Sequence, residues 1–267
     1  MRLDQALGLF SSLSLRARQE HIRQGLVLVD GRKGRKGDRV TAGQQVILLA
    51  SVSEAVDLPD VRVVRQSDAY AAIFKPGGLH AVRGKGRCLE DALPALGLDG
   101  WTLLNRLDYL TSGLVLAARS AEDAARYKAW QDARQVQKYY LALAHGAIEA
   151  DLQIANRILD DERKVVRVLE ESDIPLRGTH VRVLEHLDAK TLVLVAIYRG
   201  RRHQIRAHLA HAGFSLLGDP IYGRGEPGGL FLHHALLIMP GFTAHILPDW
   251  SLPLDRAISV LTELQQV

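Results

Sequence analysis

Three short segments of this 267-residue chain combine residue types that could do chemistry. The first is Asn105-Arg106-Leu107-Asp108-Tyr109-Leu110-Thr111-Ser112-Gly113, which sets a carboxylate in a loop just ahead of the apolar run 114–118. Arg106 is close in sequence, and Thr111, Ser112 and Gly113 can offer hydroxyls and backbone N–H groups that would keep Asp108 ionised and oriented. The plainer alternative is a turn aspartate that bonds its own backbone. The second is Gly200-Arg201-Arg202-His203-Gln204-Ile205-Arg206-Ala207-His208, where Gly200 breaks a β-branched run and a helix begins. Arginines at a helix N-terminus suit an anion, either a phosphate or a buried carboxylate; as solvated surface charge they would do nothing. His203, His208 and His211 invite a metal reading, but only the last two share a helix face and no acidic or thiol ligand is adjacent, so no metal site is expected. The third is Leu217-Gly218-Asp219-Pro220-Ile221-Tyr222-Gly223, a tight turn whose reading is structural: it positions the preceding helix.

These segments need elements to hold them. Strand-like runs fall at 61–64, 70–74, 113–118, 138–144, 180–185 and 191–198, and helical patterns at about 120–134, 203–212 and 254–265. Strands that are not each followed by a helix argue for an α+β fold, with a mixed, largely antiparallel sheet and flanking helices. The C-terminal helix could pack on its own sheet or on another chain. The first fifty residues read as a separate small αβ module. Leu13, Ala17, His21 and Ile22 recur at helical spacing behind Ser14, a plausible N-cap. Gly25 stops the helix, 26–29 is a short strand, Asp30-Gly31 is a turn, a basic loop spans 32–39, and 46–49 closes the module. The polar stretch 51–60, which includes Pro59, is the expected boundary between a domain at 1–52 and a larger one at 60–267.

Charge separates the same two regions. The first fifty residues hold nine Lys/Arg against four acids, so this head carries all of the net +4 charge. Such a footprint suits a polyanion, nucleic acid in particular, or else is simply a solvated basic surface. No apolar stretch is long enough to span a bilayer, and the N-terminus lacks a signal-peptide core. The one cysteine, Cys88, allows no internal disulfide, which fits a reducing, cytoplasmic location.

The segments together resemble the RluA-type pseudouridine synthases. Residues 106–114 are similar to that family's R-L-D-x-x-T-S-G-L, Gly200 to His208 to its G-R-T-H-Q-I-R-x-H, and Gly218 to Gly223 to its G-D-x-x-Y-G. Lys138-Tyr139-Tyr140-Leu141-Ala142 resembles K-x-Y-x-A, Phe74 to Leu79 resembles K-P-x-G-L, and Leu232-His233-His234-Ala235 a late L-H-A element. All fall in the family's order across roughly residues 60–245. Departures stand at Asn105, Tyr109 and Arg202, where the family carries histidine, a basic residue and threonine. The head is more loosely similar to an S4-type RNA-binding module.

The resemblance implies a pseudouridine synthase-like fold and an isomerase that needs no cofactor and no metal. Its partner would be RNA, ribosomal or transfer, with no membrane involved and the chain a monomer. It places the catalytic carboxylate on Asp108, whether it attacks the sugar, attacks the base or acts as a base. Arg206 would pair with Asp108 through its guanidinium fork. Tyr140 would stack on the flipped uracil and could help remove the C5 proton. Arg106, Thr111, Arg201 and His203 would contact substrate. In the head, Arg16, Arg18, Arg23, Lys33, Arg35 and Lys36 would hold RNA phosphates. The rival is a non-catalytic S4-type RNA-binding protein on the same fold. More distant is an aspartate-based hydrolase of nucleosides or glycosides, which would want a second carboxylate; Asp219 is the nearby candidate.

Overall fold

Runs such as 114–118 and 141–144 are apolar at successive positions, so a strand made from them must be covered on both faces. The computed structural model of the protein meets that demand with one large sheet between helices. It describes residues 1–9, 15–23, 25–48, 60–84, 86–160, 165–172 and 177–266. Leu13, the Ser14 cap, the side chains of Arg16 and Ala17, and the connector at 51–59 lie outside what it describes. The chain divides into two compact units, Met1–Asp57 and Leu58–Val267.

In the smaller unit, α1 (Leu3–Ala6) and α2 (Leu15–Arg23) accompany β1 (Val27–Val29), β2 (Arg32–Lys33) and β3 (Val46–Leu48). The strands form an antiparallel sheet in the order β2-β1-β3. Asp30 and Gly31 both take positive φ, 50° and 76°, as a two-residue hairpin between Val29 and Arg32 requires. Leu3, Leu7, Ile22, Val27 and Val40 make its core.

The larger unit runs β4 (Arg62–Gln66), β5 (Tyr70–Lys75), α3 (Leu89–Ala92), β6 (Thr102–Leu103), β7 (Ser112–Ala118), α4 (Ala121–Asp132) and β8 (Gln137–His145). It continues with β9 (Leu152–Ile154), β10 (Asn156–Leu159), β11 (Arg167–Ser172), β12 (Thr179–Leu187), β13 (Lys190–Ile197), α5 (Gln204–His211), β14 (Leu232–Met239), β15 (Phe242–His245) and α6 (Asp255–Leu264). The main sheet has the order β4-β5-β7-β14-β8-β13-β12-β9, with β6 against β7 and β15 against β14. Its pairings are antiparallel except β7 with β14. The expected mixed, largely antiparallel sheet with flanking helices is therefore what forms.

Alternation along the strands sends side chains to two cores. Ile73, Val115, Ala117, Ala142, Val193 and Val195 face α5 through Ile205 and Leu209. Across the sheet, Leu114 and Leu116 pack with Tyr127 of α4, and Leu141, Leu192 and Leu236 with Ala257, Val260 and Leu261 of α6. The C-terminal helix thus packs on its own sheet. The sequence patterns did not anticipate β14, although its pairing with β7 and β8 joins the two halves of the sheet.

Candidate active site

Asp108 lies in the loop between β6 and β7, and that loop is tied down from several directions. The side-chain oxygen of Asn105 accepts the Leu116 N–H at 2.7 Å, and the Thr111 N–H donates to the Asp108 main-chain carbonyl at 3.1 Å. Tyr109's carbonyl accepts the Gly78 N–H at 2.8 Å. Beneath it the fully buried Lys75 donates to the carbonyls of Pro76 and Leu79, both at 2.8 Å, and reaches that of Tyr109 at 3.4 Å. Burial brings the Lys75 pKa down to about 7, against the opposing pull of Asp108. The hydroxyls expected to orient Asp108 do not reach it in this way. Ser112 Oγ pairs with His233 Nδ1 at 2.8 Å, and Thr111 Oγ1 is buried with no hydrogen-bond partner. Here the loop is fixed through its main chain, leaving the carboxylate free to face outward.

Arg206 on α5 supplies the positive charge, but not in the geometry expected. Its fork, Nε and Nη2, is taken by both oxygens of Asp219 at 2.8 Å each. Asp108 receives a single contact, from Nη1 to Oδ2 at 3.1 Å. Arg206 is only 3% exposed and Asp219 fully buried. Asp219 also accepts the N–H groups of Ile221 and Tyr222, so the turn at 218–223 forms around this carboxylate. Its acidity follows: burial alone would raise the pKa, but the hydrogen bonds and charge of Arg206 hold it below the usual carboxylate value. The turn is therefore part of the site as well as structural.

Oδ1 of Asp108 has no hydrogen-bond partner among the described residues. Asp108 lines a cavity of about 410 Å³ with Arg106, Thr111, Lys138, Tyr140, Arg201 and His203. Arg177, Arg199, Arg202 and Arg206 also line it, and Asp108 is its one carboxylate among the described residues. Arg201 donates to the Ile158 carbonyl at 2.7 Å, and Arg202 pairs with Asp160 at 2.6 Å. Arg106 is exposed. His203 starts α5 in the left-handed region, with φ 56°; its Nδ1 pairs with the Tyr222 hydroxyl at 3.0 Å, and Nε2 stands 3.9 Å from Asp108 Oδ2. Burial holds its pKa below the ordinary imidazole value despite Asp108. His208 faces elsewhere: its ring nitrogens engage Thr179 Oγ1 and the Asn156 carbonyl.

Tyr140 forms an aromatic wall of the cavity. It projects from β8 and stacks on the fully buried His234, its register partner on β14, with centroids 4.5 Å apart and planes 16° from parallel. His234 anchors itself through Nδ1 on the Leu114 carbonyl at 2.6 Å, and burial holds it neutral by bringing its pKa down to about 3. Burial also pushes the Tyr140 phenol above its normal range, with Tyr127 and Asp108 adding to the shift. Tyr140 thus offers a ring face and a neutral hydroxyl; the phenolate needed to take a C5 proton is disfavoured.

The cations expected to hold RNA from the head divide into two kinds. Arg23, Lys33, Arg35 and Lys36 are exposed. Arg18 instead turns inward, donating to the Asp4 carbonyl at 2.8 Å. That bond helps lock α1 to α2.

Comparisons with known proteins identify the family. Residues 69–211 match the family model described as RNA pseudouridylate synthase. The chain is 32% identical to the ribosomal large subunit pseudouridine synthase D of Nitrosomonas europaea over 85% of its own length and 70% of that protein. The protein of the same name from Pseudomonas aeruginosa is 31% identical, over 83% and 73% of the two chains. Among solved structures, human RNA pseudouridylate synthase domain containing 1 superposes with a TM-score of 0.62 at 22% identity, covering 76% of this chain and 95% of that one. At that identity the likeness speaks for the fold.

Proposed function

The chain belongs to the RNA pseudouridylate synthase family and isomerises uridine to pseudouridine in RNA, and from that premise we propose that ribosomal RNA is its substrate and Asp108 its catalytic carboxylate. The reaction breaks the N1–C1′ bond, turns the uracil and forms a C5–C1′ bond; C5 loses a proton, N1 gains one, and no atom is added. One observation carries the reading. Asp108 lines the cavity and is held through Oδ2 by an arginine that is itself locked to a buried aspartate, while Oδ1 has no hydrogen-bond partner among the described residues. A carboxylate so fixed stabilises positive charge developing at the ribose C1′ without reorganising.

The other residues follow from the cavity. Tyr140 presents its ring to the flipped uracil, and stacking of this kind contributes about 1–3 kcal/mol per base. Arg106, Arg201 and His203, with Thr111 below them, line the path of the nucleotide and its phosphates. Binding a base in a cavity requires it to leave its stack, which favours loops and junctions. The smaller unit acts as an S4-like RNA-binding domain, holding phosphates through Arg23, Lys33, Arg35 and Lys36. Ribosomal RNA is favoured over transfer RNA because the relatives carry the name of ribosomal large subunit enzymes. A cytoplasmic location fits that substrate and the free thiol of Cys88.

The test is to incubate the protein and Asp108→Asn with ribosomal and transfer RNA lacking the modification, then map pseudouridine chemically. New pseudouridine in ribosomal RNA from the wild type alone supports the reading. Product from Asp108→Asn at the wild-type rate would remove Asp108 from its role, and product in transfer RNA alone would move the substrate. RNA binding without any product from the wild type would favour a binding protein on the same fold.

A further inference from the structure

Lys138 is a cation of the cavity to which the reading above gives no role. It sits on β8 two positions before Tyr140, lines the same cavity and is 5% exposed. Its register neighbours are Ile197 on β13 and Leu237 on β14, so the strands around it would accept an apolar side chain. Among the described residues its ammonium makes no hydrogen bond and no ion pair. The Tyr127 ring lies 5.9 Å away, and the charge that acts on it is that of another cation, Arg199, whose own partner is Asp132. An unpaired buried cation is costly and is seldom kept without a ligand. Burial, with Arg199 adding to it, lowers its pKa to about 8, so the group remains mostly charged at neutral pH.

We infer that the Lys138 ammonium contacts a carbonyl oxygen of the flipped uracil and stabilises the negative charge the base acquires when the N1–C1′ bond breaks. The electron pair of that bond leaves with the uracil and spreads onto its exocyclic oxygens. Two residues along a strand separate Lys138 from Tyr140 by about 6.6 Å, which sets the ammonium at the edge of a base stacked on that ring. Asp108 and Lys138 then divide the work: the carboxylate faces the cationic sugar, the ammonium the anionic base. This rests on the isomerase reading of the cavity.

The experiment uses the full chain, Lys138→Met and Lys138→Arg, with the RNA that the wild type modifies. Single-turnover rate, RNA affinity and thermal midpoint are measured for each. The expected result for Lys138→Met is a rate at least tenfold lower at saturating RNA, affinity within threefold of wild type, and a thermal midpoint equal or higher, because an unpaired buried charge has been removed. Lys138→Arg, which keeps the charge, should recover part of the rate. A Lys138→Met rate within threefold of wild type overturns the inference and leaves the isomerase reading intact. So does a thermal midpoint lowered by several degrees, the mark of a structural lysine. A wild type that binds RNA but forms no product overturns the isomerase reading itself, and this inference with it.

Discussion

At the scale of single residues, the site is a chain of charges graded by burial. Asp219 is fully buried, Arg206 nearly so, and Asp108 meets the cavity. The inner pair takes the cost of desolvation and gives the guanidinium one orientation; the outer aspartate borrows that orientation. Asp219→Asn should therefore act on Asp108 from a distance. It leaves a buried arginine short of its partner, at a cost of about 3–5 kcal/mol. That should lower the thermal midpoint by about 10 °C, and the turnover rate should fall even where the protein stays folded. The pH dependence has a definite sign. Asp219's pKa in the folded protein lies below its unfolded value, so its stabilisation is complete above about pH 4 and is lost as pH falls toward the folded value. Melting curves recorded from about pH 5 down to about pH 2.5 bracket that range. They should show a steep acid loss in the wild type and a shallower one in Asp219→Asn. Equal slopes would mean that other carboxylates govern acid unfolding.

At the scale of elements, the loop that carries Asp108 depends on how closely β7 approaches β14. Gly113 has φ 112°, and a Cβ there would collide with the His234 main chain. Gly113→Ala should cost on the order of 3 kcal/mol or more, seen as loss of soluble protein or a lower melting transition. A stable, active Gly113→Ala protein would show that the two strands can part without disturbing the site. Asn105 tests the same loop more gently. Its side chain caps the Leu116 N–H, and Asn105→Ala should cost about 1–3 kcal/mol with a roughly tenfold slower turnover, RNA affinity being unchanged. Much of this level was legible in advance. Six strands and three helices of the larger unit follow from apolar periodicity, because long strands buried on both faces leave a continuous apolar signal. The short strands β6, β9 and β10 were not legible, since pieces of two to four residues are set by their neighbours more than by their own composition.

At the scale of the whole molecule, charge and chemistry reside in different units. The basic residues that remain exposed in the smaller unit include Lys33, Arg35 and Lys36, on or after β2. Replacing these three with alanine should weaken RNA binding at moderate salt. It should also flatten the salt dependence, by about 0.7 in slope for each single-strand phosphate no longer neutralised. The rate at saturating RNA should hold if these cations position the substrate, as proposed, since phosphate contacts take no part in bond breaking. An unchanged salt slope would move the RNA-binding surface off this loop. Arg18 shows why net charge alone overstates such a surface: it is counted among the cations, yet it is half-buried and its Nη1 donates to the Asp4 carbonyl.

Some features of the protein are local and could be read from its residues in order. A motif that places an aspartate in a turn, an arginine at the start of a helix or an Asp-Gly hairpin records constraints on neighbours in the chain, and those constraints survive in the linear text. Pairings between distant segments do not. Asp219 as the bidentate partner of Arg206, His234 stacked behind Tyr140 and Lys138 buried with no counterion among the described residues all depend on which strands lie side by side. The free energy of a buried charge is set by what surrounds it in space. That surrounding exists only once β7, β8 and β14 have come together and α5 has closed over them.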